Sequence, residues 1–313
     1  MNLPPGYTSR PATSDDLEDV VALIEAWEIS RFGESEAVRS MLQYEWAASW
    51  YELERDARLI HDAAGLLVAY AQHATPDDGK RFEAWGPVRP GFEERGLGSS
   101  IVDWAEERTR ARLDPGSATR LWNSSPAGDA GAARLLERRG YTPIRTFRQM
   151  TIDLGRSFDP GPVPDGLRIR PFDAEVDGPA AFTVVDAAFV THFGYFEETF
   201  EDWWAQQQAD DTWDPSLGLV AELDGTIVGY SNNGVIDGTG YVFELAVAPQ
   251  HQGRGIGRAL LKHSFASFAA RGNRTGRLGV DTENVTGAHE LYRSVGMVPV
   301  REQRVFEKRI ESG

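Results

Sequence analysis

A chain of 313 residues is too long for one ordinary domain and suits two of about 150 each. Without a cysteine it has no disulfide, no thiolate metal site and no cysteine nucleophile, and a net charge of −16 disfavours nucleic acid and anionic membranes. Its 41% hydrophobic content, with 9 Trp and 15 Phe, suffices for sizeable cores, and no apolar run has membrane-spanning length.

Met1-Asn2-Leu3-Pro4-Pro5-Gly6 lacks a basic segment followed by an apolar one, which points to a cytoplasmic protein. Arg10-Pro11 ends a short strand. Ser14-Asp15-Asp16 then opens a helix whose apolar residues Leu17, Val20, Val21, Ile24 and Trp27 recur at helical spacing. Arg58–His61 and Leu66–Tyr70 flank an Asp62-Ala63-Ala64-Gly65 turn, a hairpin signal. A glycine-containing turn follows from Val88 to Gly98, then Gly131-Ala132, then Arg145 and Arg148. Residues 155–166 are rich in proline and glycine and read as a linker.

Beyond that run the pattern starts again. Arg170-Pro171, the Asp224-Gly225 hairpin, Val247–Gly257, Gly287-Ala288 and Arg301 with Arg304 each match a first-half counterpart about 160 residues earlier, in the same order. Such ordered self-similarity predicts two copies of one domain, 1–154 and 167–313.

The second copy carries the sharpest signal. Tyr241–Ala246 reads as a buried strand and Ala259–Phe265 as a helix. Between them stand Gly253, Gly255 and Gly257, which let the backbone turn with its N–H groups inward. The helix start adds unpaired donors and the positive end of its dipole. Arg254 and Arg258 add charge against the acidic trend. The expected guest is a pyrophosphate. The spacing fits neither the G-x-G-x-x-G fingerprint nor a P-loop.

Gln252-Gly253-Arg254-Gly255-Ile256-Gly257 resembles the Q/R-x-x-G-x-G/A loop of the GNAT family of acyl-CoA-dependent N-acyltransferases. The preceding Val247-Ala248-Pro249 and the downstream Asn284…Ala288…Tyr292 strengthen the likeness, which covers nearly the whole chain. In layout the chain resembles tandem acetyltransferases of the mycothiol-synthase type. The resemblance implies an α/β fold of the α+β kind: two tandem GNAT-like domains, each a mixed sheet flanked by helices. It also implies acetyl-CoA as cosubstrate, a small-molecule primary amine as acceptor, no metal, and a monomer or homodimer.

Residue by residue, the resemblance implies that Leu245, Ala246 and Val247 offer backbone to the pantetheine arm. Gln252, Gly253, Arg254, Gly255, Ile256, Gly257 and Arg258 would hold the pyrophosphate. Asn284 would bond the arm, Ala288 would leave room for it, and Tyr292 would act as general acid. Glu244, a carboxylate inside an apolar strand, would be the base. Two bland readings stay open: Tyr292 as a core aromatic, and Glu244 facing solvent or an arginine. The aromatic stretch 182–196 and Trp203 would shape the acceptor side through His192, Phe193, Tyr195 and Trp203, joined by Asn232; packing between domains is the other reading.

In the first copy Val88, Arg95, Gly96, Gly98 and Ser99 keep a turn that could hold CoA. However, Glu93 and Glu94 replace Gln252 and Gly253, Trp85 replaces Glu244, and Pro87 replaces Ala246. Gly128 and Leu136 replace Asn284 and Tyr292. This copy is expected to be a structural partner, or to hold CoA without turnover. Three functions remain in play: N-acetylation of a small amine, acetylation of a cysteinyl amine on a larger polar acceptor, and non-catalytic acyl-CoA binding.

Overall fold

A computed structural model describes residues 1–35, 39–48, 51–75, 81–195, 197–209, 213–284 and 287–312. Phe196, at the end of the aromatic stretch, lies outside the described residues. The first half of the chain forms β1 (Tyr7–Pro11), α1 (Leu17–Phe32), α2 (Arg39–Ala47), α3 (Leu53–Asp56), β2 (Ala57–Asp62), β3 (Leu67–Ala74), β4 (Arg81–Trp85), α4 (Leu97–Arg110), β5 (Ala118–Pro126), α5 (Ala130–Arg138) and β6 (Thr142–Asp153). The second half forms β7 (Leu167–Pro171), α6 (Ala174–Phe189), α7 (Phe200–Ala209), β8 (Leu219–Leu223), β9 (Thr226–Ile236), β10 (Thr239–Val247), α8 (Ile256–Ala270), β11 (Thr275–Asp281), α9 (Ala288–Ser294) and β12 (Val298–Glu311). Apart from the short α3, the element order of the first half recurs in the second.

The chain divides into two compact units, Met1–Thr146 with Glu302–Gly313, and Phe147–Arg301. These bounds differ from the 155–166 linker expected from composition. The reason is that the closing strands are exchanged. In unit 1 the strand order is β1-β2-β3-β4-β5-β12, and in unit 2 it is β6-β11-β10-β9-β8-β7. Gln303–Glu311 of β12 pair antiparallel with β5, while Phe147–Asp153 of β6 pair antiparallel with β11. Residues 155–166 are tied down inside unit 2. Phe158 meets Phe265 edge-on at 5.5 Å, and Val163 packs against the cluster containing Leu260.

Each unit has one parallel strand pair, β4 with β5 and β10 with β11, in an otherwise antiparallel sheet. Alternation along each strand sends neighbours to opposite faces, so each sheet has a core on both sides. In unit 1 Ile60 packs under α4 with Ile101, Trp104 and the exchanged Phe306, whereas Leu59 packs under α1 with Val20 and Leu23. In unit 2 the exchanged Met150 joins Leu261, Phe265 and Phe268 of α8, whereas Tyr230 faces α6 and α7 with Val184, Val185 and Trp203. Among the described residues no helix is long and apolar enough to cross a membrane.

Candidate active site

The site of unit 2 begins where two strands part. β10 and β11 pair only over Thr239–Tyr241 with Thr275–Arg277. Beyond Tyr241, β10 stays with β9 as far as Val247, and β11 stays with β6 as far as Asp281. A bulge between Val242 and Glu244 turns β10 away at the point of parting. The result is a cleft of about 770 Å³. Val242, Phe243, Leu245 and Val247 wall one side, and Leu278, Gly279, Val280 and Asp281 the other. Strand edges that part in this way present backbone donors and acceptors to a ligand laid between them.

One end of the cleft is built for an anion. Gly253 and Gly255 have φ of 73° and 81°, a region that L side chains avoid. Gly255 is the N-cap of α8, and no side chain caps this helix. The leading N–H groups at Ile256, Gly257 and Arg258 have no intrahelical acceptor and sit at the positive end of the dipole. All three residues line the cleft. Gln252 Nε2 donates to the Val247 carbonyl at 3.1 Å, tying the loop to the strand end. Uncapped donors, two left-handed glycines and the Arg258 cation together fit a diphosphate.

Three details refine the sequence reading. Gly257 does not have positive φ, and a Cβ there would meet Val247 and Leu291 at ordinary contact distances, 3.5 and 3.6 Å. Arg254 is exposed and outside the cleft wall, with Nη1 3.2 Å from His251 Nδ1. Ala246 is buried in the cluster on the α6/α7 face, away from the cleft. His251, by contrast, does line the cleft.

The other wall carries Asn284, Ala288 and Tyr292. Ala288 and Tyr292 are four apart on α9 and so share a face. Burial pushes the Tyr292 hydroxyl up to about 12, so it holds its proton at neutral pH. Asn284 Nδ2 lies 3.4 Å from His192 Nε2 across the cleft mouth. His192, Phe193 and Tyr195 also line the cleft.

Glu244, Trp203 and Asn232 form a separate group on the α6/α7 face. Trp203 Nε1 reaches Glu244 Oε1 at 3.5 Å, and Asn232 Nδ2 donates to Glu244 Oε2 at 3.2 Å. Glu244 therefore faces neither open solvent nor an arginine. Burial pushes its carboxyl up from the ordinary range, opposed by the two donors and reinforced by nearby Glu198. Tyr292 belongs to the α8 side of the sheet and Glu244 to the other side. The strand bulge beside Glu244 and the gap after it are where the two sides can meet.

Sequence reasoning missed Phe147, which lines the cleft with its ring 6.2 Å from that of Phe193. It sits on β6, a strand whose sequence position assigns it to the first copy. It missed Gln207 too, whose Oε1 accepts from Asn232 Nδ2 at 2.7 Å. No local pattern marks either residue.

Unit 1 keeps the turn and loses the chemistry. Gly96 caps α4 with φ of 87°, and Glu94 holds φ of 61° where Gly253 stands in unit 2. Arg95 and Glu93 fold back on their own loop: Arg95 Nη2 donates to the Gly91 carbonyl at 2.7 Å, and the Gly91 N–H donates to Glu93 Oε2 at 2.6 Å. Val88 bridges to Ala69. A Cβ on Gly98 would meet Leu135 at 3.1 Å, and Ser99 is half-buried in the first turn of α4.

A parted parallel strand pair leading into an uncapped, glycine-turned helix defines an acyl-CoA-dependent acyltransferase. Residues 185–297 match the Acetyltransferase (GNAT) family. A mycothiol acetyltransferase of Kineococcus radiotolerans is 35% identical over 244 residues, 76% of this chain and 77% of that protein. One from Thermobispora bispora is 32% identical over 296 residues, 91% and 93% of the two chains. A crystal structure of a GCN5-related N-acetyltransferase from Sphaerobacter thermophilus superposes with a TM-score of 0.86 at 30% identity, over 100% of this chain and 98% of that one. A tandem GNAT protein from the clavulanic acid biosynthesis pathway shares the fold, with a TM-score of 0.74 at 17% identity over 98% and 99% of the two chains. The chain belongs to the GNAT acetyltransferase family and is an acetyl-CoA-dependent N-acetyltransferase.

Proposed function

We propose that unit 2 acetylates the primary amine of a small polar molecule, with Glu244 as base and Tyr292 as acid. Acetyl-CoA supplies the acetyl group as an activated thioester. The loop donors at Ile256, Gly257 and Arg258 hold its diphosphate, and the freed edge of β10 at Leu245 and Val247 orients the arm. Glu244, poised by burial and held by Asn232 and Trp203, takes a proton from the incoming ammonium, directly or through water. Tyr292, protonated at neutral pH, supplies the proton that the departing thiolate needs. The observation that carries this reading is the cleft opened by the strand parting, with Tyr292 in its wall.

The mycothiol acetyltransferase relatives favour one acceptor class within this reading, a cysteinyl amine on a larger polar molecule. Their likeness extends over 91% of the chain in one case, both units included. Thiol release from acetyl-CoA against an amine panel tests both levels. Turnover best with a cysteinyl amine on a larger polar molecule selects the narrower acceptor, turnover best with simple amines selects the broader one, and no turnover with any amine leaves acyl-CoA binding without catalysis.

A further inference from the structure

Unit 1 lacks a counterpart of Glu244 at the same strand position, yet a carboxylate still occupies the corresponding surroundings. Gln72 and Trp85 face one another across β3 and β4, as Asn232 and Glu244 do across β9 and β10. Trp85 thus takes the carboxylate's place on the strand. Glu45, from α2, restores the carboxylate: Gln72 Nε2 donates to its Oε1 at 2.5 Å. The neighbouring Trp46 donates from Nε1 to the Tyr70 hydroxyl at 3.0 Å, and that hydroxyl donates to Gln72 Oε1 at 3.0 Å. The amide that grips Glu45 is therefore fixed from both ends.

The side chains around Gln72, the amide partner of Glu45, are aromatic: Tyr70 bonds that amide, and Trp85 stands opposite it on β4. The Trp85 ring lies 6.3 Å from that of Tyr70, nearly perpendicular, and 6.2 Å from that of Trp27. Trp27, Trp85 and Glu45 are all half-buried, so each keeps an exposed part. Among the described residues no Lys, Arg or His pairs with Glu45; the charge that acts on it is Glu83, of the same sign. Glu83 already has a partner in Arg81 at 2.9 Å. A partly desolvated carboxylate without a counter-ion is disfavoured. An organic cation would supply the missing charge and lie against indole faces that attract it.

We propose that unit 1 binds a small organic ammonium ion at Glu45, against the exposed parts of the Trp27 and Trp85 indoles. The site binds without turnover, because Leu136 stands where unit 2 has Tyr292. It is distinct from the acceptor side of unit 2, although both use a carboxylate gripped by an amide.

Calorimetric titration with n-butylammonium chloride, against sodium chloride at equal ionic strength, tests this. The titration is run on the full chain carrying Glu244→Gln, so that any amine bound beside Glu244 is weakened beforehand. Saturable binding is expected to remain, and adding Glu45→Gln should weaken it at least about tenfold, the scale of losing one charge-assisted contact. Trp27→Leu should weaken it severalfold and serves as the readout if Glu45→Gln does not fold. Glu45→Gln alone should leave the acetyl-transfer rate with a saturating amine unchanged. Absence of saturable binding in the Glu244→Gln chain overturns the proposal. So does binding that neither added substitution weakens.

Discussion

Asn232 and Glu244 stand opposite one another on β9 and β10, and the Asn232 amide donates to the Glu244 carboxylate at 3.2 Å. The same amide nitrogen donates to Gln207 at 2.7 Å, so its orientation is set by α7. The carboxylate is thereby aimed while it remains half-buried, and burial raises its pKa. The acid limb of kcat/KM is expected above the ordinary glutamate value of about 4.3. Activity should rise with pH through that limb as Glu244 ionises. Glu244→Gln should lower kcat/KM roughly 100-fold and flatten the limb. A variant that keeps the wild-type limb would remove Glu244 from the proton path.

Stability carries the opposite sign. A carboxylate with a raised folded-state pKa binds its proton more tightly when folded, so its contribution falls as pH rises from the unfolded value through the folded one. Glu244→Gln should therefore raise Tm relative to wild type at pH 8 more than at pH 4, read by differential scanning calorimetry. An equal shift at both pH values would show that the burial of Glu244 has no such cost.

Tyr292 separates chemistry from binding. Its hydroxyl is held protonated by burial, with its pKa pushed up to about 12. Tyr292→Phe keeps the ring in the core with Phe265 and Leu278. It should lower kcat by about 10²-fold or more, the scale of a general acid, and leave acetyl-CoA affinity within about twofold. Stopped-flow thiol release and calorimetry with CoA read the two quantities. Unchanged kcat would return Tyr292 to the role of a core aromatic.

The glycine loop separates conformation from space. At Gly255 φ is 81°, and a side chain there is strained by roughly 1–2 kcal/mol. Gly255→Glu adds a carboxylate to the anion end and should abolish calorimetric CoA binding. Gly257→Ala meets only ordinary contacts and should weaken CoA binding less than about threefold. Equal losses in the two variants would show that the loop's shape is not what binds the diphosphate.

The order of elements and the loop could be read from sequence because both depend on local chemistry. Gly253 and Gly255 need positive φ, hairpins announce themselves at Asp224-Gly225, and the duplicated pattern fixes the order. Strand exchange left no such mark. β6 and β12 alternate as closing strands should, and nothing in Phe147 or Phe306 says which sheet each will enter. The proline-rich run 155–166 looked like a boundary because composition reports backbone stiffness, not contacts. Phe158 and Val163 anchor it to unit 2. The Asn232–Glu244 pair needed register, which depends on a bulge that the sequence did not show.

The cleft also needs a closed end, and two glycines provide it. Gly240 and Gly276 face one another where β10 and β11 still pair. A Cβ on Gly240 would fall 2.3 Å from the Phe268 ring, and one on Gly276 would fall 3.1 Å from Phe265. The phenylalanines of α8 therefore press directly on the strands just before they part. Gly240→Ala must displace either Phe268 or β10, and overpacking of this kind costs about 1–3 kcal/mol. Gly279 gives the contrast: it lines the cleft, and a Cβ there meets nothing within 4 Å. Gly279→Ala should leave unfolding by urea within about 0.5 kcal/mol of wild type and raise the KM for acetyl-CoA severalfold. Gly240→Ala should lower the urea midpoint and raise that KM as well, since the point where the strands part moves with Phe268. A Gly240→Ala variant that matches wild type in both measurements would show that the two strands are not held together by the helix above them.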